Sequence, residues 1–504
     1  MSFDSKEIPF SHKIANGGSL TIAGKLVCRC LDLITLAILS RLLSPADFGL
    51  TALAMTSVII AETVTSLPLA AALLRVSKPS RAMYDTAFTL AFLRGVLLAV
   101  VLSALGFVMM YIYNEPRLVA LVAALSIAPI LRGLLSPRMV DYMREMNFMP
   151  EAGIEIAGKT AALVASCAVA FSTHSYWAIA VSTITTPFVM NLLSYRAAPY
   201  RPRFCLSEWV LFKNYVGWNS LTQLIGALKW QMDKLLLGYF VPKATLGQYT
   251  MASDLNNIPL QSIVVPLKRP VLASYSARGV RPPEELMKTY LKTSNAMLAF
   301  AGPVFVGLAL LAVPAVYLVL GPKWEEAGSL LQWIAIAALL TLPVINLDQL
   351  ALALDEARML TWRTVLEFCV AVPLLFFGCV TYGVMGVVGA RIIGGLFTVL
   401  ISMEAVRKLI GCSFACQIMV LQRTVFALFL MGGSLWFLRP LVIMDDSVIA
   451  LAFSLAGVGL GGLLFYIVSI AIFWRLAGYP AGIEAVVWGK GENILSQMKK
   501  RLVS

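Results

Sequence analysis

Ionised side chains stand in this sequence where an apolar chain makes them costly. Lys25, Arg29 and Asp32 fall in the apolar segment 19–40, and Lys229, Asp233 and Lys234 in the segment 216–240. Each such group costs about 2.5–3.5 kcal/mol at the centre of a bilayer, so it normally faces a bundle interior or a wet cavity. Lys25, Arg29 and Asp32 follow an i, i+4, i+7 spacing that places them on one stripe of a helix. Asn219, Gln223, Gly226, Trp230 and Asp233 form a second stripe, bordered by Lys229, with Lys234 towards one end. The chemistry offered is non-covalent. A guanidinium fork takes two phosphate oxygens at once, an ammonium adds a point charge, and an intramembrane carboxylate can take a proton or a metal ion. Two polar faces suit two walls of one cavity. Internal pairing of Arg29 with Asp32 and of Lys229 with Asp233 is the alternative.

More charges follow the same logic. Glu62, Arg94, Lys159, Asp254 and Arg391 also lie within apolar segments. Cations at depth outnumber acids, which points to an anionic cargo. The candidate cavity cations are Lys25, Arg29, Arg94, Lys159, Lys229, Lys234 and Arg391, each of which also admits a structural ion pair. Asp32, Glu62, Asp233 and Asp254 are candidates for binding a coupling H+ or Na+, or for pairing. Asn219, Gln223 and Trp230 complete the polar face. Trp218 and Trp230 could stack on sugar rings, although most of the tryptophans sit near span ends as an interfacial belt does. Asp348, Glu367 and Glu404 fall near span ends, where snorkelling to the headgroups is cheap, and are expected to be structural. There is no phosphate-gripping Gly-x-x-x-x-Gly-Lys loop and no nucleophile–His pair. The eight cysteines and two histidines lack metal-ligand spacing. Neither a cofactor, a metal nor an enzymatic reaction is expected.

The elements that must position these residues are membrane helices. Of 504 residues, 59% are hydrophobic and 13% charged, where a soluble domain carries roughly 25% charged. Mean hydropathy is +0.82. At roughly 20 apolar residues per span, about fourteen segments qualify: 19–40, 50–74, 87–112, 118–136, 152–171, 176–195, 216–240, 246–268, 291–319, 329–352, 361–379, 383–406, 421–443 and 447–474. The net charge of +13 collects in every second loop, from Arg75, Lys78 and Arg81 to Arg407, Lys408 and Arg423. This explains the charge without nucleic acid and predicts that both termini are cytoplasmic. The polar opening MSFDSKEIPFSHK does not read as a cleaved signal peptide. The inner loops near 197–215 and 270–290 are basic and proline-rich, as elbows between bundles would be. The tail after Arg475 has an apolar face and a basic end and is expected on the cytoplasmic leaflet.

An internal repeat organises the whole. LSRLLSPADFGLTALAM (Leu39–Met55) aligns without a gap with LGYFVPKATLGQYTMAS (Leu237–Ser253), pairing Gly49 with Gly247, 198 residues apart (247 minus 49). The offset covers six spans, so the two halves have the same orientation and are related by an axis along the membrane normal. The expected fold is all-α. It has an N-lobe over 1–205 (helices 1–6), a C-lobe over 206–411 (helices 7–12), two further helices over 412–475 and an amphipathic tail over 476–504.

The chain resembles the polysaccharide-exporter, or lipid-linked oligosaccharide flippase, branch of the multidrug/oligosaccharidyl-lipid/polysaccharide (MOP) exporter superfamily. The resemblance is carried in order by ILSRLLSPADFGLTALA (Ile38–Ala54), YDTAFTLAFLRGVLLAVVL (Tyr84–Leu102), DKLLLGYFVPKATLGQYTMASDLNNIPL (Asp233–Leu260), LGPKWEEAGSLLQWIAI (Leu320–Ile336) and YGVMGVVGARI (Tyr382–Ile392). It implies alternating access by rocking of two six-helix lobes. It also implies a cargo of undecaprenyl-pyrophosphate-linked oligosaccharide, destined for exopolysaccharide, capsule or O-antigen and moved from the cytoplasmic to the periplasmic leaflet of a bacterial inner membrane. Membrane lipids and polysaccharide polymerase or export machinery are the implied partners. Pro68 stands where relatives often have glycine, and Val241-Pro242 replaces a more flexible turn. The alternatives are a lipid-linked peptidoglycan precursor flippase or a multidrug antiporter of the same architecture, and a membrane glycosyltransferase or polymerase. The short outer loops disfavour the last.

Overall fold

The computed structural model describes the backbone of residues 10–210, 218–276, 282–443 and 447–476; side chains are described within these from 24 and, after 210, from 223, save 269 and 357. The amphipathic tail expected over 476–504 lies outside the described residues but for its first. Among the described residues every regular element is helical. In chain order they are α1 (Phe10–Leu42), α2 (Pro45–Val64), α3 (Leu69–Arg75), α4 (Arg81–Tyr113), α5 (Arg117–Leu125), α6 (Ile127–Gly133), α7 (Met139–Arg144), α8 (Met149–Thr173) and α9 (Trp177–Ala197). There follow α10 (Trp218–Phe240), α11 (Lys243–Pro259), a π turn (Leu260–Val264), α12 (Val265–Ser276), α13 (Pro283–Leu320), α14 (Glu325–Thr341) and α15 (Leu347–Ala353). The last three are α16 (Ala357–Ile410), α17 (Phe414–Leu438) and α18 (Val448–Leu476).

Among the described residues, nine helical stretches are long and apolar enough to cross a membrane. The protein is a multi-pass membrane protein. α1 and α10 are also long, at 33 and 23 residues, but each carries three closely spaced ionised side chains. Predicted spans are interrupted where the sequence supplies a reason. The segment 50–74 is helical only to Val64, is irregular over Thr65–Pro68 and resumes at Leu69, because Pro68 has no N–H to continue the ladder. α16 spans 54 residues but turns back at Gly383 (φ +59°, ψ −134°). A methyl group on Gly386 would lie 1.8 Å from the carbonyl oxygen of Gly378, a proximity that eight residues of straight helix, about 12 Å of rise, cannot produce. Only glycine fits both the dihedrals and the approach.

The chain divides into two compact units, Met1–Thr250 and Met251–Ser504. In the first, α1 packs on α8, α8 on α9, α4 on α5 and α6, and α10 on α2. In the second, α13 packs on α14, α17 and α18, and α14 on α16, around a core that includes Phe305, Tyr290, Leu342 and Leu350.

The repeat is visible in the helix boundaries. α1 ends at Leu42 and α10 at Phe240; α2 starts at Pro45 and α11 at Lys243. Both pairs keep the 198-residue offset. α2 and α11 then meet at Gly49 and Gly247. A methyl group on Gly49 would sit 1.8 Å from Lys243 O, and one on Gly247 1.9 Å from Pro45 O. Each glycine faces the partner helix's equivalent of its own N-terminal residue, as in a contact across a two-fold axis. The crossing also explains why α10 and the first turns of α11 pack within the first unit, although by sequence they open the second repeat. Ser44 starts α2 with a capping box, its side chain accepting from Asp47 N and the Asp47 carboxylate accepting from Ser44 N at 3.0 Å.

Candidate functional site

The chain reversals fix the depth of each charged residue. The turns α1–α2, α4–α5, α8–α9 and α10–α11 share one end of the first unit; the segments 65–80, 134–148 and 198–210, rich in Arg and Lys, share the other. At 1.5 Å per residue, Asp32 and Arg29 lie about 15 and 20 Å along α1 from its turn end, and Lys159 about 21 Å along α8. They meet. Lys159 Nζ forms an ion pair and hydrogen bond with Asp32 Oδ1, and Arg29 Nη1 lies 3.6 Å from Asp32 Oδ2. Arg29 and Asp32 remain about two-fifths exposed, at 42% and 40% of their side-chain surface. Close packing of α1 on α8 at Gly24 and Ala152 brings the charges together. Glu155, one turn before Lys159, is within electrostatic reach of the neighbouring Cys28. Lys25, one turn before Arg29, is exposed. The group thus holds three cations and two carboxylates.

A second centre lies deeper towards the basic end, at the break in α2. Arg94 of α4 donates from Nη2 to Glu62 O at 2.6 Å and from Nε to Thr65 Oγ1 at 3.1 Å. It thereby satisfies a carbonyl near the helix end. The Glu62 carboxylate is gripped by Arg132 Nη1 of α6 through both oxygens. Arg132 is 48% exposed. Arg132 therefore holds the Glu62 carboxylate while Arg94 holds the main-chain carbonyl of the same residue, and Arg132 is open to solvent or ligand.

On α10, Asp233 is buried and accepts the Tyr249 hydroxyl of α11 at Oδ2 and the Lys234 N–H at Oδ1, 2.8 Å. Two turns from the Gly49 crossing, Thr56 Oγ1 donates to Gln231 Oε1 at 3.4 Å. Lys229, Lys234 and Gln223 are half-buried and Trp230 is exposed; the Asn219 side chain lies outside the described residues. In the second unit Arg391 Nη1 donates to Ser253 Oγ at 3.2 Å, beside the half-buried Asp254.

Of the carboxylates near the predicted span ends, Glu367 departs from expectation. Glu367 does not snorkel: it is 3% exposed and accepts from Arg363 Nε at 3.0 Å, while Arg363 Nη1 reaches Asp348 at 3.0 Å and Lys268 Nζ approaches Asp348 at 3.8 Å. Helix packing sealed this end of α16, so depth along the chain did not translate into access to headgroups. Glu404, by contrast, pairs at the surface with Arg407 and Lys408. Sequence reading passed over Arg132, Arg363, Gln231 and Tyr249. Arg132 sits inside a predicted span just as Arg94 does, and Arg363 stands four residues before Glu367; both signals were present. Among the described residues no group of three or more His, Cys, Asp or Glu could hold a metal ion.

With this geometry in hand, comparison with known proteins is informative. A family described as polysaccharide biosynthesis protein matches residues 38–329, more than half of the chain. The chain belongs to that family. Relatives of this polysaccharide-biosynthesis protein include the lipopolysaccharide biosynthesis protein WzxC of Escherichia coli (strain K12), 21% identical over 422 residues, covering 81% of this chain and 84% of the relative. Another is the succinoglycan biosynthesis transport protein ExoT of Rhizobium meliloti (strain 1021), 21% identical over 361 residues, 69% of this chain and 71% of the relative. Among solved structures, the lipid II flippase MurJ in an inward closed conformation superposes with a TM-score of 0.71, at 13% identity, over 90% of this chain and 99% of that one. An inward-facing multidrug resistance MATE transporter of the MOP superfamily gives 0.55 at 14% identity, over 76% and 94%. At such identities the structures establish the fold, which is that of the MOP superfamily.

Proposed function

We propose that this protein is a flippase for undecaprenyl-pyrophosphate-linked oligosaccharide, carrying repeat units of an exopolysaccharide, capsule or O-antigen from the cytoplasmic to the periplasmic leaflet of a bacterial inner membrane. The observation that carries this reading is the surplus of cations at membrane depth in the first unit, with Arg29, Arg132 and Lys25 open: Arg29, Lys159 and Lys25 against Asp32 and Glu155, and Arg94 and Arg132 against Glu62. A pyrophosphate–sugar headgroup cannot cross hydrocarbon unaided, because burying its charge is prohibitive. Guanidinium and ammonium groups replace its hydration, while the prenyl tail stays in lipid. The step is transport, without covalent chemistry by this chain.

In this reading the basic end of the first unit faces the cytoplasm, with both termini on that side. Alternating access moves the six-helix repeats 1–205 and 206–411 against each other, with 412–475 as an addition. Lys229, Lys234 and Arg391 serve the cargo from the second repeat, and Gln223, Trp230 and Asn219 supply sugar-facing polar and aromatic surface. Asp32, Glu62, Asp233 and Asp254 are the places where H+ or Na+ couples to transport. The relatives' printed roles in lipopolysaccharide and succinoglycan biosynthesis support this cargo class.

The test is flipping of a labelled lipid-linked oligosaccharide by the purified chain in vesicles with an imposed ion gradient. Transport of the oligosaccharide lipid is expected. Movement of the lipid-linked peptidoglycan precursor alone, or of cationic drugs alone, would replace the proposed cargo. Gradient-dependent transport that survives amide substitution of all four carboxylates would remove them from coupling.

A further inference from the structure

The chain leaving α9 does not run free. Residues 199–206 have no regular structure, yet they are fastened along the first unit at both ends of their course. At the start, Tyr142 donates to Ala197 O at 2.7 Å, Ser136 Oγ to Ala198 O at 2.8 Å and Arg138 Nη1 to Pro199 O at 3.3 Å. Further on, the Tyr200 hydroxyl donates to the buried Asp85, Cys205 N–H donates to Thr89 Oγ1 at 3.0 Å, and Glu208 N–H to Thr86 Oγ1 at 3.4 Å. Phe204 packs in tilted contact at 6.0 and 5.5 Å from the rings of Phe88 and Phe92. Those two rings lie about 10 and 16 Å along α4 from Arg81. The strap therefore climbs from the basic end to the level of acyl chains. Irregular backbone at that depth persists only where protein satisfies its polar groups, and Asp85, Thr86 and Thr89 of α4 supply such partners.

Most of the side chains from 201 to 210 face outward. Phe204, Leu206, Trp209 and Val210 are 69%, 45%, 51% and 53% exposed. Arg201 and Arg203 are exposed too, and neither makes an ion pair among the described residues. Aromatic and aliphatic groups beside arginines at a membrane boundary are the composition that binds an acidic lipid surface: rings and aliphatics among the chains, guanidinium groups at the phosphates. We propose that the strap 199–210 is a binding surface for anionic phospholipid in the leaflet at the basic end, with Arg201 and Arg203 holding the headgroup phosphate and Phe204, Leu206, Trp209 and Val210 seated among the acyl chains. Its assignment to the cytoplasmic leaflet rests on the orientation proposed above; the lipid contact itself does not.

The experiment uses the full chain in nanodiscs of phosphatidylcholine doped with brominated phosphatidylglycerol or brominated phosphatidylcholine. The contribution of Trp209 is read as the difference between wild type and Trp209→Phe. Quenching of Trp209 at least threefold stronger by the acidic lipid is expected. That preference should disappear in Arg201→Gln/Arg203→Gln and survive in Arg201→Lys/Arg203→Lys. Equal quenching by the two lipids, or a preference unchanged in the glutamine variant, overturns the proposal. Protection of Trp209 from both lipids also overturns it, and assigns the surface to a protein partner. No transport is measured, so failure here is distinct from failure of the flippase reading.

Discussion

Charge clusters in the first unit and in the second leave their guanidinium groups unequally exposed. In the first, Asp32 is shared by Arg29 and Lys159, and Glu62 takes Arg132 at its carboxylate and Arg94 at its main-chain carbonyl, with two-fifths or more of the Arg29 and Arg132 side chains exposed. In the second, Arg363 and Lys268 meet Asp348 and Glu367, with Glu367 sealed and Arg363 only 16% exposed, although Asp348 is 38% exposed. Breaking the contact of Arg363 with the sealed Glu367 strands a charge in a medium that cannot solvate it. A cationic surplus left open retains capacity, since a phosphate can join or displace the carboxylate. On the proposed function it is access, rather than the mere presence of charge in an apolar span, that would let the first cluster take a ligand.

That contrast can be broken experimentally. Arg363→Met is expected to have the largest effect on stability, about 3–5 kcal/mol, because it leaves Glu367 buried without its partner. Thermal unfolding in detergent measures it, and unfolding at the wild-type temperature would show that the second cluster is not a clamp. Arg29→Gln with Arg132→Gln should leave stability within about 1 kcal/mol while lowering headgroup affinity at least tenfold, as loss of charge-assisted hydrogen bonds of about 1.5–3 kcal/mol requires. A drop in stability as large as that of Arg363→Met would make the two units alike. Packing is separable from charge at the helix crossing. Gly49→Ala and Gly247→Ala should cost about 1–3 kcal/mol each, nearly equally, since their contacts mirror one another. Gly226→Ala, with nothing within 4 Å of the added methyl group, should be neutral or stabilising by up to about 1 kcal/mol. Unequal costs at the two glycines would count against the two-fold contact.

The smallest effect lies outside the membrane. At the α4–α5 turn Glu115 accepts from Arg117 Nε and Nη2 at 2.8 and 2.9 Å, which holds its carboxyl below the usual range. A depressed folded-state pKa gives stability that is complete above the ordinary Glu value near 4.3 and is lost as pH falls through the folded value. Glu115→Gln should remove that acid-side slope, worth under about 1 kcal/mol at a pair whose arginine is half exposed, as pH-dependent unfolding would register.

Much of this was legible in the residues. The alignment of Leu39–Met55 with Leu237–Ser253 marked a turn between two helices in each half and paired Gly49 with Gly247, but the spans were expected to start at 50 and 246 rather than 45 and 243, and that the two glycines meet was not read from it. The depth of Arg29, Asp32, Glu62, Arg94 and Lys159 was likewise evident from hydropathy. Their partners were not. Lys159 is 127 residues from Asp32 and Arg132 is 70 from Glu62, and such pairings depend on which helix faces pack. Local pairing of Arg29 with Asp32 was foreseeable as an i, i+3 contact. The sharing of Asp32 with α8 was not. Pro68 was visible, but its consequence, a break with a carbonyl for Arg94 to satisfy, needed the neighbouring helix. Glu367 looked like a headgroup-facing residue because distance along the chain says nothing of lateral burial.

The central claim is that the surplus cations of the first unit bind a phosphorylated lipid headgroup. Its most direct test is the flipping rate of a labelled undecaprenyl-pyrophosphate-linked oligosaccharide in vesicles carrying wild type or Arg29→Gln/Arg132→Gln, with thermal unfolding of both proteins measured alongside. At least tenfold slower flipping by a variant that unfolds at the wild-type temperature is the predicted result. An unchanged flipping rate in that folded variant would contradict the account.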